Sequence, residues 1–215
     1  MFSRTLFTAG LLTGILPLAS HAQTGPRFYV GAGANLFTET PSPLERTALR
    51  LYGPALTAGL QLSSHLALQT GVAYTWQNIT RSQSYNDPNL IVPVVEQVDF
   101  HSKYFTIPVL LRYTFAPAAE RLHVDALAGV TLAHRRYRNS ASSTYSAAPY
   151  SYAYHGSLTR ASVTLGPAVR YTLVPNVELT ANALVSAIVG DTYYRFSDRL
   201  FLNVLVGAQY SFGQR

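Results

Sequence analysis

The sequence has no cysteine and only one lysine, Lys103, among its 215 residues. Without cysteine there is no disulfide framework and no lipobox for acylation. Charged residues of both signs make up 12 % of the chain, about half of the roughly 25 % usual in soluble domains. A surface facing bulk water is hard to build from such a supply. After residue 23 there is no run of 18 apolar residues, so no helix is long enough to cross a bilayer. Walker, Rossmann and nucleophile-elbow patterns are also missing.

Basic charge is present but dispersed. The formal charge is +6, and Arg135, Arg136 and Arg138 form the only cluster, too little to indicate nucleic acid. Apolar residues reach 48 % and aromatics 12 %, which argues against disorder. Residues 1–22 read as a signal peptide: Arg4, then an apolar run from Leu6 to Leu18, then Ser20-His21-Ala22 as a cleavage site. The expected mature domain is 23–215.

That domain alternates with period two. Phe28, Val30, Ala32 and Leu36 share a face, opposite Gly31, Gly33 and Asn35. Within YFTIPVLLRYTF, residues 104–115, Phe105, Ile107, Val109, Leu111, Tyr113 and Phe115 share one face, and Thr106, Pro108, Arg112 and Thr114 the other. Eight such strands are expected, the last over 200–212. Short links near 63–65, 116–121 and 174–176 alternate with long polar ones near 38–50, 80–98, 139–157 and 190–198. This predicts an all-β fold, an eight-stranded antiparallel up-and-down transmembrane barrel.

A soluble lipocalin-like barrel would alternate as well. Its polar face, however, should be rich in Lys, Glu and Asp; here that face offers only Arg112, Asp125, Arg170 and Glu178 among Gly, Thr, Ser, Gln and Asn. Such a filling suits a narrow lumen. Phe28, Tyr113, Phe115, Tyr171, Tyr210 and Phe212 at the short-turn end, with Tyr74, Trp76 and Phe105 at the other, read as two interfacial girdles. Arg112 is expected across from Asp125, and Arg170 diagonally across from Glu178, as lumen charge pairs. Pro108 and Pro167 are each expected to cause a bulge.

The 104–115 run, with its aromatic-x-x-Ile-Pro-apolar core, resembles the fourth-strand signature of the PorT-like outer-membrane β-barrel proteins of Bacteroidetes. The resemblance implies residence in the bacterial outer membrane and an accessory role in a secretion system. The end of the chain, Gly207-x-x-Tyr210-x-Phe212, resembles the signal read by the barrel-assembly machinery. It departs in Leu205, where a polar residue is usual, and in the trailing Gly213-Gln214-Arg215.

Chemistry is hard to place on these residues. Lipid A-modifying enzymes use Ser and His near the membrane surface, and His134 with Ser140, Ser142 and Ser143 is the best candidate for that. No carboxylate lies between 126 and 177 to orient the base locally, although loops 80–98 and 190–198 could bring Asp87, Glu96 or Asp191; no catalytic residue is assigned. His101, Asp99 and His155 lack the spacing of a metal site, and no metal or cofactor is expected. The segment 137–156 carries Tyr137, Tyr145, Tyr150, Tyr152 and Tyr154 among Ser and Ala, a composition suited to adaptable binding. Together with 80–98 it is the expected interaction loop of a non-enzymatic structural or surface protein. Expected partners are outer-membrane lipid and lipopolysaccharide, the assembly machinery, and a surface or secretion-system protein.

Overall fold

A computed structural model describes residues 27–39, 49–85, 94–115, 121–144, 150–190 and 199–212. Residues 1–26, which include the expected signal peptide, and 40–48, 86–93, 116–120, 145–149, 191–198 and 213–215 lie outside them. Eight strands follow in chain order: β1 Arg27–Glu39, β2 Leu49–Gln61, β3 Leu66–Tyr85, β4 Val94–Thr114, β5 Leu122–Thr144, β6 Tyr150–Val174, β7 Val177–Ile188 and β8 Leu200–Phe212. Each pairs antiparallel with its sequence neighbours, and β8 pairs with β1, closing the barrel.

Alternation sets the faces. Val30, Leu36, Leu56, Ile107, Val130, Leu165 and Val206 are exposed on the outside, while Asn35, Gln69, Thr106, Arg112, Asp125, Thr164 and Gln209 are buried within. A closed ladder satisfies the strand backbone internally, which an apolar environment demands. Both girdles form on the outer face. At one rim Phe28 stacks on Phe212 with centroids 5.9 Å apart. At the other, Tyr74, Trp76 and Tyr52 sit together, Tyr74–Trp76 at 5.6 Å. Phe105 and Tyr113 are eight residues apart on β4, roughly 26 Å of strand, and a tilt of about 40° reduces this to about 20 Å. The spacing suits the apolar band of a bilayer.

Small residues let strands approach closely. Gly33 faces Gly207 across the β1–β8 seam, and a Cβ on Gly33 would lie 2.8 Å from the Gly207 Cα. The β6–β7 link is Pro175-Asn176, with Asn176 at φ 71°, fitting the left-handed position after a turn proline. The ladder shifts register there, between Thr172 and Val174.

No bulge forms at Pro108 or Pro167, contrary to expectation. Pro108 pairs with Thr131, and Pro167 with Ala126, in unbroken register. On the opposite side the ladder skips 107–108 against 71–72, and 166–167 against 183–184, then resumes in the same register. Pro54 does the same against β3. In an antiparallel ladder a residue's N–H and C=O point towards the same neighbour, so proline disturbs one side only. At Pro108 the Thr70 hydroxyl donates to the freed carbonyl at 3.0 Å.

Two of the four long links are mostly strand. β3 and β4 remain paired as far as Tyr85 and Val94, and β5 and β6 as far as Ser143 and Tyr150. The β2 partner of β3 ends at Trp76, and the β7 partner of β6 begins at Ser162. A four-stranded wall, β3 to β6, therefore continues past the closed barrel.

Candidate functional site: a filled lumen and a projecting sheet

The lower lumen holds four charges in one network. Arg170, on β6, donates Nε to Asp125 Oδ2 at 2.6 Å and Nη2 to Asp125 Oδ1 at 3.1 Å. Its Nη1 donates to Glu178 Oε2, on β7, at 3.0 Å. Thr114, on β4, donates to Asp125 at 2.7 Å and accepts from Arg170 at 3.1 Å. Gln209, on β8, donates to Glu178 at 2.5 Å. Arg112 donates to Gln69 of β3, lies 3.7 Å from Asp125, and covers the Tyr29 ring of β1 at 4.9 Å. Two guanidinium groups and two carboxylates sum to zero charge, and these contacts span seven of the eight strands. A buried charge needs such compensation.

The expected pairs are therefore merged. Arg170 does lie diagonally from Glu178, because Arg170 pairs with Thr180. Arg112 does not stand opposite Asp125: Thr114 does, and Arg112 pairs with Leu127. The turn is centred further along the chain than expected, shifting the pairing by two residues. A two-residue shift preserves the face, so Asp125 still points inward. It also brings the Thr114 hydroxyl to Asp125 and leaves the carboxylate to Arg170, a contact the sequence reading missed.

Above the charges the lumen is sealed by layers. Leu110, Leu127, Ala168 and Leu184 form one apolar cluster, and Phe37, Leu51, Tyr104, Ile188 and Phe201 form another. Between them Thr131, Thr164 and Ser186 link hydroxyls at 2.7 and 2.8 Å. A cavity of about 30 Å³ lies beside Asn35, Thr106 and Asn182, room for about two waters. The plug was legible only by extending each strand's parity: Phe37 shares a face with Tyr29 and Asn35, and Leu110 with Arg112.

The expected interaction loop is a β-ribbon. Tyr137, on β5, and Tyr154, on β6, share a hydroxyl bond of 3.0 Å with rings 5.6 Å apart. That bond holds the Tyr137 hydroxyl above its ordinary pKa. Arg135 lies 5.3 Å from both the Tyr104 and Tyr137 rings. Tyr152 and Tyr154 are exposed, Tyr150 pairs with Ser143 in the ladder, and Tyr145 lies outside the described residues.

The Ser/His candidate is not assembled. His134 bonds the Thr159 hydroxyl at 2.8 Å, and Ser140 is six residues further along the same strand, roughly 20 Å away. His101 bonds Asn78 and His65 bonds the Thr114 carbonyl, each at 2.9 Å. Among the described residues, no group of three His, Asp or Glu side chains could hold a metal. Of the residues expected to form an assembly signal, Gly207 faces the lumen, while Tyr210 and Phe212 lie outside in the short-turn girdle. Leu205 has the lumen-facing parity of Gly207, which hides an apolar residue where a polar one is usual.

No protein-family model matches the chain, and no curated protein matches it either. Solved structures do. A major outer membrane protein from Thermus thermophilus is 15 % identical with a TM-score of 0.53, over 87 % of this chain and 100 % of that one. The outer membrane protein OprG from Pseudomonas aeruginosa is 8 % identical with a TM-score of 0.49, over 89 % and 98 %. Ail, the attachment invasion locus protein of Yersinia pestis, is 13 % identical with a TM-score of 0.47, over 87 % and 97 %. At these identities the likeness concerns the fold: an eight-stranded barrel of the kind found in bacterial outer membranes.

Proposed function

We propose that this protein is a non-enzymatic outer-membrane barrel, delivered by the signal peptide at 1–22, whose role is structural and surface-binding. The observation that carries this reading is the continuation of β3 to β6 beyond the closed barrel, with Tyr137, Tyr152 and Tyr154 along the β5–β6 ribbon. The filled lumen argues against solute passage, and the dispersed histidines give a lipid A-modifying reaction no support. Kinship with the PorT-like family, and with it an accessory role in secretion, is part of the proposal on the strength of the 104–115 run alone.

Deletion of 139–156 tests it. Proteoliposomes carrying the protein are applied to arrays of glycans and surface proteins. The deletion is expected to leave the barrel folded and to abolish any ligand captured by the intact chain. Undiminished capture after deletion would contradict the role of the ribbon.

A further inference from the structure

The outer face of the projecting wall carries its own pattern. On β4 and β5 the lipid-facing parity runs through Phe105 and His134, which pair in the upper girdle. Two residues further out, Lys103 pairs with Arg136, and two beyond that Arg138 pairs with His101 on one side and His155 on the other. Lys103, Arg136 and Arg138 are all exposed. They therefore share a face with the acyl-chain belt, not with the lumen, from the rung of Trp76 outward, roughly 7 to 13 Å of strand beyond Phe105. That is the depth of lipid headgroups.

We propose that Lys103, Arg136 and Arg138 form a binding site for the phosphate groups of an outer-leaflet glycolipid, lipid A. The site deepens the reading of the chain as an outer-membrane barrel and rests on it. Neighbouring strands lie about 4.8 Å apart and successive rungs about 6.6 Å, so three cations converge within a phosphate's reach. Arginine forks match phosphate oxygens in pairs, while lysine adds a point charge. Among the described residues none of the three has a carboxylate partner. Asp99, one rung further out, accepts instead from Thr80 at 2.7 Å.

The apolar girdle directly below favours an amphiphile over a soluble anion, because acyl chains and headgroup are accommodated by one continuous face. The opposite rim lacks this arrangement: its described outward residues include Phe28, Tyr113, Phe115, Leu122, Tyr171, Tyr210 and Phe212, and its described arginines, Arg27 at the start of β1 and Arg121 just before β5, stand on strands that are not neighbours. The asymmetry assigns the site to the leaflet on the side of the long links.

The only tryptophan in the chain, Trp76, pairs with Lys103 across β3–β4 and reports on the site. Bisphosphorylated lipid A is titrated into the detergent-solubilised full chain while Trp76 fluorescence is followed. A saturable change is expected. It should become at least about tenfold weaker with dephosphorylated lipid A, and likewise in the combined Lys103→Gln, Arg136→Gln, Arg138→Gln variant. Arg121→Gln should bind as the parent does. Faster migration of unboiled variant on a denaturing gel verifies that each barrel is folded. Equal affinity for the dephosphorylated lipid, or undiminished binding by the folded triple variant, would overturn the site. Displacement by a soluble sulfated saccharide as effectively as by lipid A would also overturn it, assigning the cations to a water-borne polyanion. Failure of the barrel reading itself would show separately, as solubility without detergent and no heat-dependent mobility.

Discussion

The lower lumen and the projecting wall use the same strands under different rules. Between the girdles every strand of β3 to β6 has a partner on both sides, an apolar outer face and a tightly filled inner one. There, charges survive only as a neutral network, with Asp125 1 % exposed and Arg112 2 %. Above the upper girdle β2 and β7 no longer flank the wall, and the outer face turns polar. Lys103, Arg136 and Arg138 stand exposed outside, and Tyr137 and Tyr154 meet on the other face. Closure, more than strand propensity, decides where a charge must be matched and where it is free to bind.

Substitutions can break this contrast at its strongest point. Asp125→Ala would leave Arg112 and Arg170 facing one another with only Glu178 nearby, and removing one partner of a buried pair typically costs about 3–5 kcal/mol. Urea unfolding of the barrel in lipid vesicles should show a loss of that order. A midpoint unchanged from the parent would show that the network is not a stabilising feature.

Glycines give a smaller effect that sharpens the same comparison. A Cβ at Gly129, within the closed barrel, would meet the Val109 carbonyl and lie 2.9 Å from the Leu110 Cα, backbone that cannot yield locally. Gly129→Ala is expected to cost about 1–3 kcal/mol by overpacking. At Gly156, in the wall, the same atom meets the Tyr137 ring, which can swing aside. Gly156→Ala should stay within about 0.5 kcal/mol in the same unfolding assay. Equal effects at both sites would erase the distinction between barrel and wall. Smallest of all, Tyr137→Phe removes the shared hydroxyl bond with Tyr154 at an exposed site and should leave the unfolding midpoint unchanged.

Legibility in the sequence followed the same division. Between the girdles, one face must be apolar, so Val30, Ile107 and Val206 announce strand, face and register parity at once. Tyr74, Trp76 and Phe105 then mark where that requirement ends. Beyond them the outer face turns polar through Asn78, Thr80, Ser140 and Ser142, while the inner face mixes Ile79 and Phe100 with Arg81 and Asn139, so the apolar-out period is lost and the extended ribbons read as loops. The Arg112–Asp125 pairing was misplaced because a turn length fixes register only to within a parity-preserving step of two. The prolines misled because a barrel strand can lose one neighbour's hydrogen bond at Pro108 without changing register. Leu110 and Phe37 were hidden because inward apolar residues look like errors in alternation until the lumen is known to be sealed by them.

The central claim is a closed barrel standing in a membrane with its lumen filled. Gel mobility of the detergent-purified mature chain, with and without boiling, tests it most directly, since a ladder closed on itself resists unfolding by SDS until heated. The account predicts a faster-running band before boiling. Identical mobility in both lanes, together with solubility in the absence of detergent, would contradict it.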